Sequence, residues 1–247
     1  MRRQLTGVEE IEAALAAGDP VRLILVASEA EEPELIALAE RARVAGVPVH
    51  GASERSLWRL SKTDPPARAL ALVGPAPSAE AAEMLRAKGA AWLLVGTAYP
   101  GNTGFAIRTA EVSGADGIFI DNEFDHEGKR EATRAAMRAD RFMPVFWRGA
   151  DDVVTDARAA GRRIFAIEDV GTAAPWEVDL TQPALLIIGG EHSGIPEAVL
   201  ERADEVLRIP MAGFIPSYNL QAAMAGVALE RLRQLQFRNE FRNGDGL

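Results

Sequence analysis

The stretch AWLLVGTAYPGNTGFAIRTAEV, residues 91–112, joins a continuous apolar run to a helical pattern through a loop rich in glycine. The run AWLLV (91–95) is typical of a strand that is buried on both faces. A helix is predicted over about 103–113, with Asn102 or Thr103 as its capping residue. A buried strand followed at once by a helix is the repeating unit of α/β proteins with parallel sheets.

The same alternation continues to the end of the chain. Helices are predicted at about 128–139 and 151–160, and a long final helix from about Ser217 to Phe237. The sequence therefore predicts one large α/β domain with a mostly parallel sheet over residues 90–247. Its further strand-like runs are GIFI (117–120), PVFW (144–147), RRIFAI (162–167), ALLII (184–188) and VLRI (206–209).

The first 75 residues repeat the pattern on a smaller scale and predict a small α/β domain over 1–75. Gly74-Pro75-Ala76-Pro77 interrupts the alternation and indicates a boundary, with residues 76–89 as a linker. A helix predicted over 78–88 could belong to either side. The other predicted elements are helices at 8–17, 32–44 and 53–60 and strands at 21–27, 47–50 and 69–73.

Composition narrows the class of protein. The chain has 247 residues, and its 48% hydrophobic content is ordinary for a globular protein. It has no cysteine, which excludes disulfides, thiolate zinc sites and cysteine nucleophiles, and its three histidines show no metal-ligand spacing, so no metal is expected. No run reaches the roughly 18 apolar residues of a membrane helix, and the N-terminus lacks an apolar signal core. The expected location is the cytoplasm.

The charge balance is acidic, with a formal net charge of -9. This balance argues against an indiscriminate nucleic-acid binder, because neutralising phosphates requires clustered lysine and arginine. It leaves open a nucleic-acid enzyme that carries one local basic surface.

Three loops that follow predicted strands are unusual in composition, and ligands of open parallel sheets bind beyond the carboxyl ends of strands. They cover residues 99–110, 189–194 and 210–221. Glycines in the first two suit tight turns and a close approach of the backbone to a ligand. The third is apolar and bounded by prolines, a composition that can wrap a flat ring such as adenine. By composition alone, a capped helix, a flexible turn and a buried core loop remain open.

Taken together and in this order, the segments YPGNTGFAIRTA (99–110), IGGEHSGI (188–195) and RIPMAGFIPSYNL (208–220) resemble the three signature motifs of the SpoU class of SPOUT RNA methyltransferases. The resemblance covers about residues 90–236. The first 75 residues are similar, more loosely, to the small substrate-binding domain of many ribosomal-RNA members, a fold shared with some ribosomal proteins.

The resemblance implies a trefoil-knotted catalytic domain, S-adenosylmethionine bound in the knot, a homodimer, and 2'-O-methylation of a ribose in structured RNA. Ribosomal RNA is the expected substrate, and transfer RNA is the second candidate. The matching motif positions imply a cofactor pocket of Gly189, Gly190, Glu191, Ile209, Pro210, Met211, Tyr218 and Leu220. They imply an active site of Asn102, Arg108, Glu191, Ser217 and Asn219.

The chemistry assigns different tasks to these residues. A guanidinium does not lose its proton in proteins, so Arg108 is expected to bind the phosphate beside the ribose and to stabilise the developing alkoxide. Glu191 would orient Arg108 or the neighbouring asparagines. Methyl transfer itself mainly requires in-line positioning. Within the N-terminal domain, the basic residues Arg55, Arg59, Lys62 and Arg68 are expected to contact RNA.

Some residues depart from the family pattern. Tyr218 stands where the family usually has leucine, and in the segment 134–138 Ala136 and Arg138 stand where serine and glycine are common. These departures and the acidity favour an alternative, a homodimeric protein of this fold that binds RNA or S-adenosylmethionine with little or no catalysis. An ordinary nucleotide-binding α/β enzyme is disfavoured, because the chain lacks a Rossmann glycine fingerprint.

Overall fold

The structure is a computed structural model that describes residues 3–29, 31–61 and 63–243, with side chains as far as residue 236 in the last helix. The chain divides into two compact units, Met1–Ala76 and Pro77–Leu247. None of the described helices has the length and hydropathy that crossing a membrane requires.

The first unit is a four-stranded mixed sheet in the order β1-β4-β2-β3. Strands β1 and β2 run antiparallel to β4, and β3 runs parallel to β2. Strand β1 was not predicted, because four residues with one buried side chain, Leu5, give too short a pattern. The elements are β1 (Arg3–Thr6), α1 (Val8–Ala16), β2 (Val21–Ala27), α2 (Pro33–Val44), β3 (Val49–Ala52), α3 (Glu54–Ser61) and β4 (Ala69–Val73).

Helices cover both faces of this sheet. Buried side chains of α1 and α2 pack against one face, where Ala69 and Ala71 of β4 point. Leu57 of α3 packs against the other face with Leu70 and Ala27. The alternation along β4 follows the two-residue period of a strand.

The second unit is a six-stranded sheet in the order β10-β8-β9-β5-β6-β7, and every pairing in it is parallel. The predicted α/β class with a parallel sheet is confirmed. Its strands are β5 (Ala90–Val95), β6 (Gly117–Asp121), β7 (Val145–Trp147), β8 (Arg163–Ile167), β9 (Ala184–Gly189) and β10 (Glu205–Leu207). Its helices are α4 (Ala81–Leu85), α5 (Pro100–Val112), α6 (His126–Ala135), α7 (Ala150–Ala159), α8 (Glu197–Leu200) and α9 (Leu220–Asn243), with 3-10 turns at Ala139–Arg141 and Pro175–Glu177.

Both faces of this sheet are buried. Trp92 and Leu94 of the central strand β5 point to the face that α5 and α9 cover. Leu93 and Val95 point to the opposite face, which is covered by α4, α7 and α8. Burial on both sides explains why the strands appear in the sequence as continuous apolar runs.

Two sequence predictions need correction. Helix α5 begins at Pro100, because proline suits the first helical position, so Asn102 lies within the first turn and does not cap the helix. The segment 76–89, expected as a linker, contains α4, and from residue 77 onward it belongs to the second unit. Met84 and Leu85 are buried in that unit's core because they fill the space beside α7.

A buried ion pair joins the amino ends of the sheet. The side chains of Arg162 and Asp116 are fully buried, and their closest N···O distance is 2.9 Å. Asp116 also accepts a hydrogen bond of 2.8 Å from the backbone N–H of Gly89. The guanidinium of Arg162 also donates to the carbonyl oxygens of Met84, Leu85, Ala87, Gly89 and Ala184, and its Nη2 group is shared between Met84, Ala87 and Asp116.

Arg231 of α9 lies in the same electrostatic environment. Burial lowers the pKa of its guanidinium, and the like charge of Arg162 adds to that shift, whereas attraction to Asp116 and Asp179 opposes it. Asp116 is therefore the counter-charge of Arg162 and shares the attraction on Arg231 with Asp179.

We expect Asp116→Asn to lower the free energy of unfolding by about 3–5 kcal/mol, because it leaves a buried guanidinium without its counter-charge. Asp156→Asn is the matched control. It breaks the partly exposed Arg148–Asp156 pair, whose N···O distance is 2.7 Å, and should cost about 1 kcal/mol or less. Urea unfolding followed by circular dichroism measures both variants. Equal losses would contradict the role assigned to Asp116.

Candidate functional site

A cleft of about 290 Å³ opens at the carboxyl ends of β8 and β9, beside the start of α9. The loops at 189–194 and 210–221, predicted from the sequence to bind a ligand, form most of its wall. Pro210, predicted to belong to the pocket, is absent from the lining. The predicted residues that line the cleft are Gly189, Gly190, Glu191, Ile209, Met211, Ser217, Tyr218, Asn219 and Leu220.

The glycine loop is held close to the strand beside it. The backbone N–H of Gly190 donates to the carbonyl oxygen of Val95 at 2.7 Å. A Cβ atom at position 190 would overlap the carbonyl group of Gly96, so the loop requires glycine there. This close approach brings the residue that follows, Glu191, to the amino end of α5.

Glu191 connects the first and second motif loops. Its carboxylate accepts a hydrogen bond of 2.6 Å from the side-chain amide of Asn102 and one of 3.1 Å from the backbone N–H of Ala98. Of the two partners considered from the sequence, the structure therefore selects Asn102 and not Arg108. The first motif loop is further stabilised by Thr103, whose hydroxyl group donates a hydrogen bond to the hydroxyl oxygen of Thr97.

Glu168 is a wall residue that the sequence analysis missed. It follows β8 directly, lines the cleft, and accepts a hydrogen bond of 2.9 Å from the backbone N–H of Ile195. An acidic residue placed immediately after a buried strand at the ligand-binding edge was the available signal. With Asp169 and Glu191, it gives the cleft three acidic residues.

The third loop is closed on itself and leads into α9. The hydroxyl of Tyr218 donates to the carbonyl oxygen of Pro210 at 3.3 Å. The side chain of Asn219 accepts a hydrogen bond of 3.0 Å from the backbone N–H of Gln221, so Asn219 caps α9. Phe214 and Ile215, at the tip of the loop, are exposed.

Arg108 lies on the exposed face of α5, outside the lining of the cleft. Within the described part of the chain, its guanidinium has neither a hydrogen bond nor an ion pair. The next residue, Thr109, accepts a long hydrogen bond of 3.4 Å from the side chain of Gln221, near the start of α9. Arg108 is thus an unpaired cation on α5, and α5 is linked by the Thr109–Gln221 hydrogen bond to α9, the helix that follows the third loop.

The departure at Arg138 lies in a segment with an unusual backbone conformation. Met137 and Arg138 both adopt left-handed backbone conformations, with φ of 54° and 61°. This region favours glycine, which accounts for the glycine common at position 138 in the resembling family. Arg138 adopts it at a cost of roughly 1–2 kcal/mol, and its guanidinium is 3.5 Å from Asp140.

Among the residues that the structure describes, no group of three or more histidine or acidic side chains is placed to hold a metal ion. The cleft is lined by apolar side chains, backbone groups, the polar side chains of Ser217, Tyr218 and Asn219, and three acidic residues.

Two family models match the chain. The SpoU rRNA Methylase family matches residues 91–229, more than half of the chain. The model described as RNA 2'-O ribose methyltransferase substrate binding matches residues 4–78. The two matches cover the second and first units of the structure, respectively.

Individual relatives resemble the chain over most of its length. A 23S rRNA (guanosine-2'-O-)-methyltransferase, RlmB of Photobacterium profundum, is 28% identical, over 93% of this chain and 97% of its own. A 23S rRNA (guanosine(2553)-2'-O)-methyltransferase, RlmP of Bacillus subtilis, is 26% identical, over 90% of this chain and 84% of its own.

Solved structures show the same architecture. The SpoU methyltransferase AviRb of Streptomyces viridochromogenes, in complex with the cofactor AdoMet, superposes with a TM-score of 0.55 at 26% identity, over 95% of this chain and 90% of that chain. An AdoMet-bound rRNA methyltransferase of Sinorhizobium meliloti gives a TM-score of 0.57 at 24% identity, over 95% and 88%, and shares the fold. The chain belongs to the SpoU rRNA methylase family and combines its methyltransferase domain with its N-terminal substrate-binding domain.

Proposed function

We propose that this protein transfers the methyl group of S-adenosylmethionine to a ribose 2'-oxygen in ribosomal RNA. The observation that carries the proposal is the hydrogen bond between Glu191 and Asn102, which joins the cleft to the helix that bears Arg108. The relatives RlmB and RlmP, whose names describe 2'-O-methylation of guanosine in 23S rRNA, support the choice of substrate.

The cleft has the chemistry that S-adenosylmethionine requires. Ile209, Met211 and Leu220 offer an apolar wall for the adenine ring, and the glycine loop offers backbone groups. The carboxylates of Glu168 and Glu191 favour a ligand that carries positive charge. When bound, the cofactor supplies an electrophilic methyl group. We further propose that the loops at 189–194 and 210–221 belong to a trefoil knot.

On the substrate side, Arg108 binds the phosphate next to the reacting ribose and stabilises negative charge on the 2'-oxygen. Asn102, oriented by Glu191, and the polar residues Ser217 and Asn219 position the ribose for in-line attack. A protein that only binds its ligands has no chemical need for an unpaired Arg108 beside these groups.

The assembly we propose is a homodimer that pairs α5 and α9 across a two-fold axis. These helices pack on each other, and each exposes a large apolar side chain: Val112 is 68% exposed and Leu229 is 65% exposed. A second copy of the chain would cover them. The N-terminal unit would bind RNA, and the reaction would take place in the cytoplasm with the ribosomal RNA.

Arg108→Ala is expected to lower the rate of methyl transfer by about 10²–10³-fold, because one preorganised electrostatic contact to the developing charge is lost. Arg108→Lys should recover only a little, because lysine lacks the planar fork. Affinity for S-adenosylmethionine should change by a small factor only. Arg158→Ala, at an exposed arginine on the opposite face of the sheet, is the control. A near-normal single-turnover rate for Arg108→Ala would make Arg108 a structural residue.

Gly190→Ala should abolish calorimetric binding of S-adenosylmethionine, because the added methyl group displaces the loop from Gly96. Gly213→Ala, in the neighbouring loop, places its methyl group in open space and should bind within a small factor of the wild type. If both variants bind equally well, the cofactor lies elsewhere.

The exchange of Val112 or Leu229 for glutamate should shift the sedimenting mass from dimer to monomer, because a charge in an apolar interface is costly. Val44→Glu, at an 89% exposed valine of the first unit, should leave the mass unchanged. A wild-type monomer at every concentration would refute the dimer.

A further inference from the structure

Helix α3 of the first unit is amphipathic, and its outer face carries a tryptophan. Leu57 is buried against the sheet, and the carbonyl oxygen of Leu60 accepts a hydrogen bond of 3.1 Å from Gln4. Trp58 points away from this contact and is 57% exposed. Trp92, by contrast, is almost completely buried in the core of the second unit.

Two arginines share the exposed side of α3 with this tryptophan. Arg55 lies three residues before Trp58 and four before Arg59, so its side chain neighbours both of theirs on the outside of α3. Both arginines are exposed, and within the described residues neither forms an ion pair or a side-chain hydrogen bond. Lys62, grouped with them from the sequence, lies outside the described residues.

Three other arginines of the unit are paired with carboxylates. Arg3 pairs with Asp19 at 2.6 Å, and Arg41 pairs with Glu12. Arg68, which the sequence analysis placed in the basic group, pairs with Glu32 at 2.8 Å. Of the basic residues grouped from the sequence, Arg55 and Arg59 are therefore the two described ones that no carboxylate pairs, and they share α3 with Trp58 and with the exposed Glu54.

The chemistry of this surface matches one class of ligand. An indole ring stacks on any base, and guanidinium groups bind the phosphates on either side of it. A paired RNA helix hides the faces of its bases, whereas loops and bulges expose them. The surface therefore fits an unpaired nucleotide, and a duplex would use only its charges.

We propose that Trp58, with Arg55 and Arg59, is a stacking site for an unpaired nucleotide of the RNA substrate. The proposal rests on the proposed function, because it deepens the way in which that substrate is bound. It assigns recognition of a single-stranded feature to the N-terminal unit, separately from the chemistry in the second unit.

The test measures the affinity of the full-length protein for two probes, a short single-stranded oligoribonucleotide and an RNA duplex of the same length. Trp58→Ala should weaken binding of the single strand by about 5- to 100-fold and affect the duplex much less. Trp58→Tyr should retain most of the affinity, because tyrosine also stacks. Affinity for S-adenosylmethionine should stay unchanged.

The matched control is Trp176→Ala, since Trp176 is also 57% exposed but lies next to Glu177 in the second unit. It should leave both affinities unchanged. The double variant Arg55→Ala, Arg59→Ala should reduce the slope of log K against log salt by about 1.4 for the single strand, which corresponds to two phosphate contacts.

Several outcomes would overturn the proposal. These are an unchanged affinity of Trp58→Ala for the single strand, an equal loss for both probes, or the same loss in Trp176→Ala. Binding of a ribosomal protein that depends on Trp58, without binding of either RNA, would make α3 a protein-docking surface instead. The binding assay needs no methyl transfer, so Trp58-dependent binding by a protein that methylates no RNA would refute the proposed function alone.

Discussion

The second unit depends on the fully buried guanidinium of Arg162, which ties the amino ends of its strands together. Its hydrogen bonds reach the segment around α4, the start of β9 through Ala184, and the turn before β6 through Asp116. A buried arginine is tolerated only when each of its donors has a partner and its charge is matched. Three separate parts of the sequence must therefore supply the groups that surround Arg162.

This arrangement fixes the sheet at the amino ends of its strands and leaves the carboxyl ends for ligands. At the carboxyl ends, the chain is held by close backbone contacts such as that of Gly190, and by single carboxylates such as those of Glu168 and Glu191. Loops positioned by a rigid framework in this way can present backbone groups to a ligand. Strand β9 begins at Ala184, which is hydrogen-bonded to Arg162, and it ends at the glycine loop. The position of the glycine loop in the cleft is therefore set by the fixed amino end of β9.

Much of this architecture could be predicted from the sequence, because buried parallel strands are short apolar runs with clear ends. Strands at 69–73 and 21–27 lie where the pattern indicates. Elements with a weak hydrophobic pattern, such as β1 and the four-residue helix α8, were missed. The linker expectation failed at α4, because prolines and glycines mark a break in the pattern but do not show to which core the following helix belongs.

The site was harder to predict than the fold, since motif positions identify residues but not their partners. The sequence left the orientation of Glu191 open between an arginine and an asparagine, and only the geometry selects Asn102. It also grouped Arg68 with the basic residues, because a carboxylate 36 positions away in the sequence is invisible to a local pattern. Ion pairs between residues far apart in the sequence cannot be recognised from composition. Composition therefore does not show which charged side chains are neutralised.

The same pairing explains how a chain with a net charge of -9 can act on RNA. Exposed charges interact over about 8–10 Å at physiological salt, so a phosphate experiences the nearby side chains and not the total. Arg148, Arg158 and Arg163 are each neutralised by a carboxylate within 3.0 Å. Arg108 and the pair on α3 have no such partner among the described residues. The acidity of the whole chain is consequently compatible with locally unpaired arginines, because many of the acidic residues that set the total lie elsewhere or are already paired. On α3 itself, Glu54 offsets part of the charge of Arg55 and Arg59.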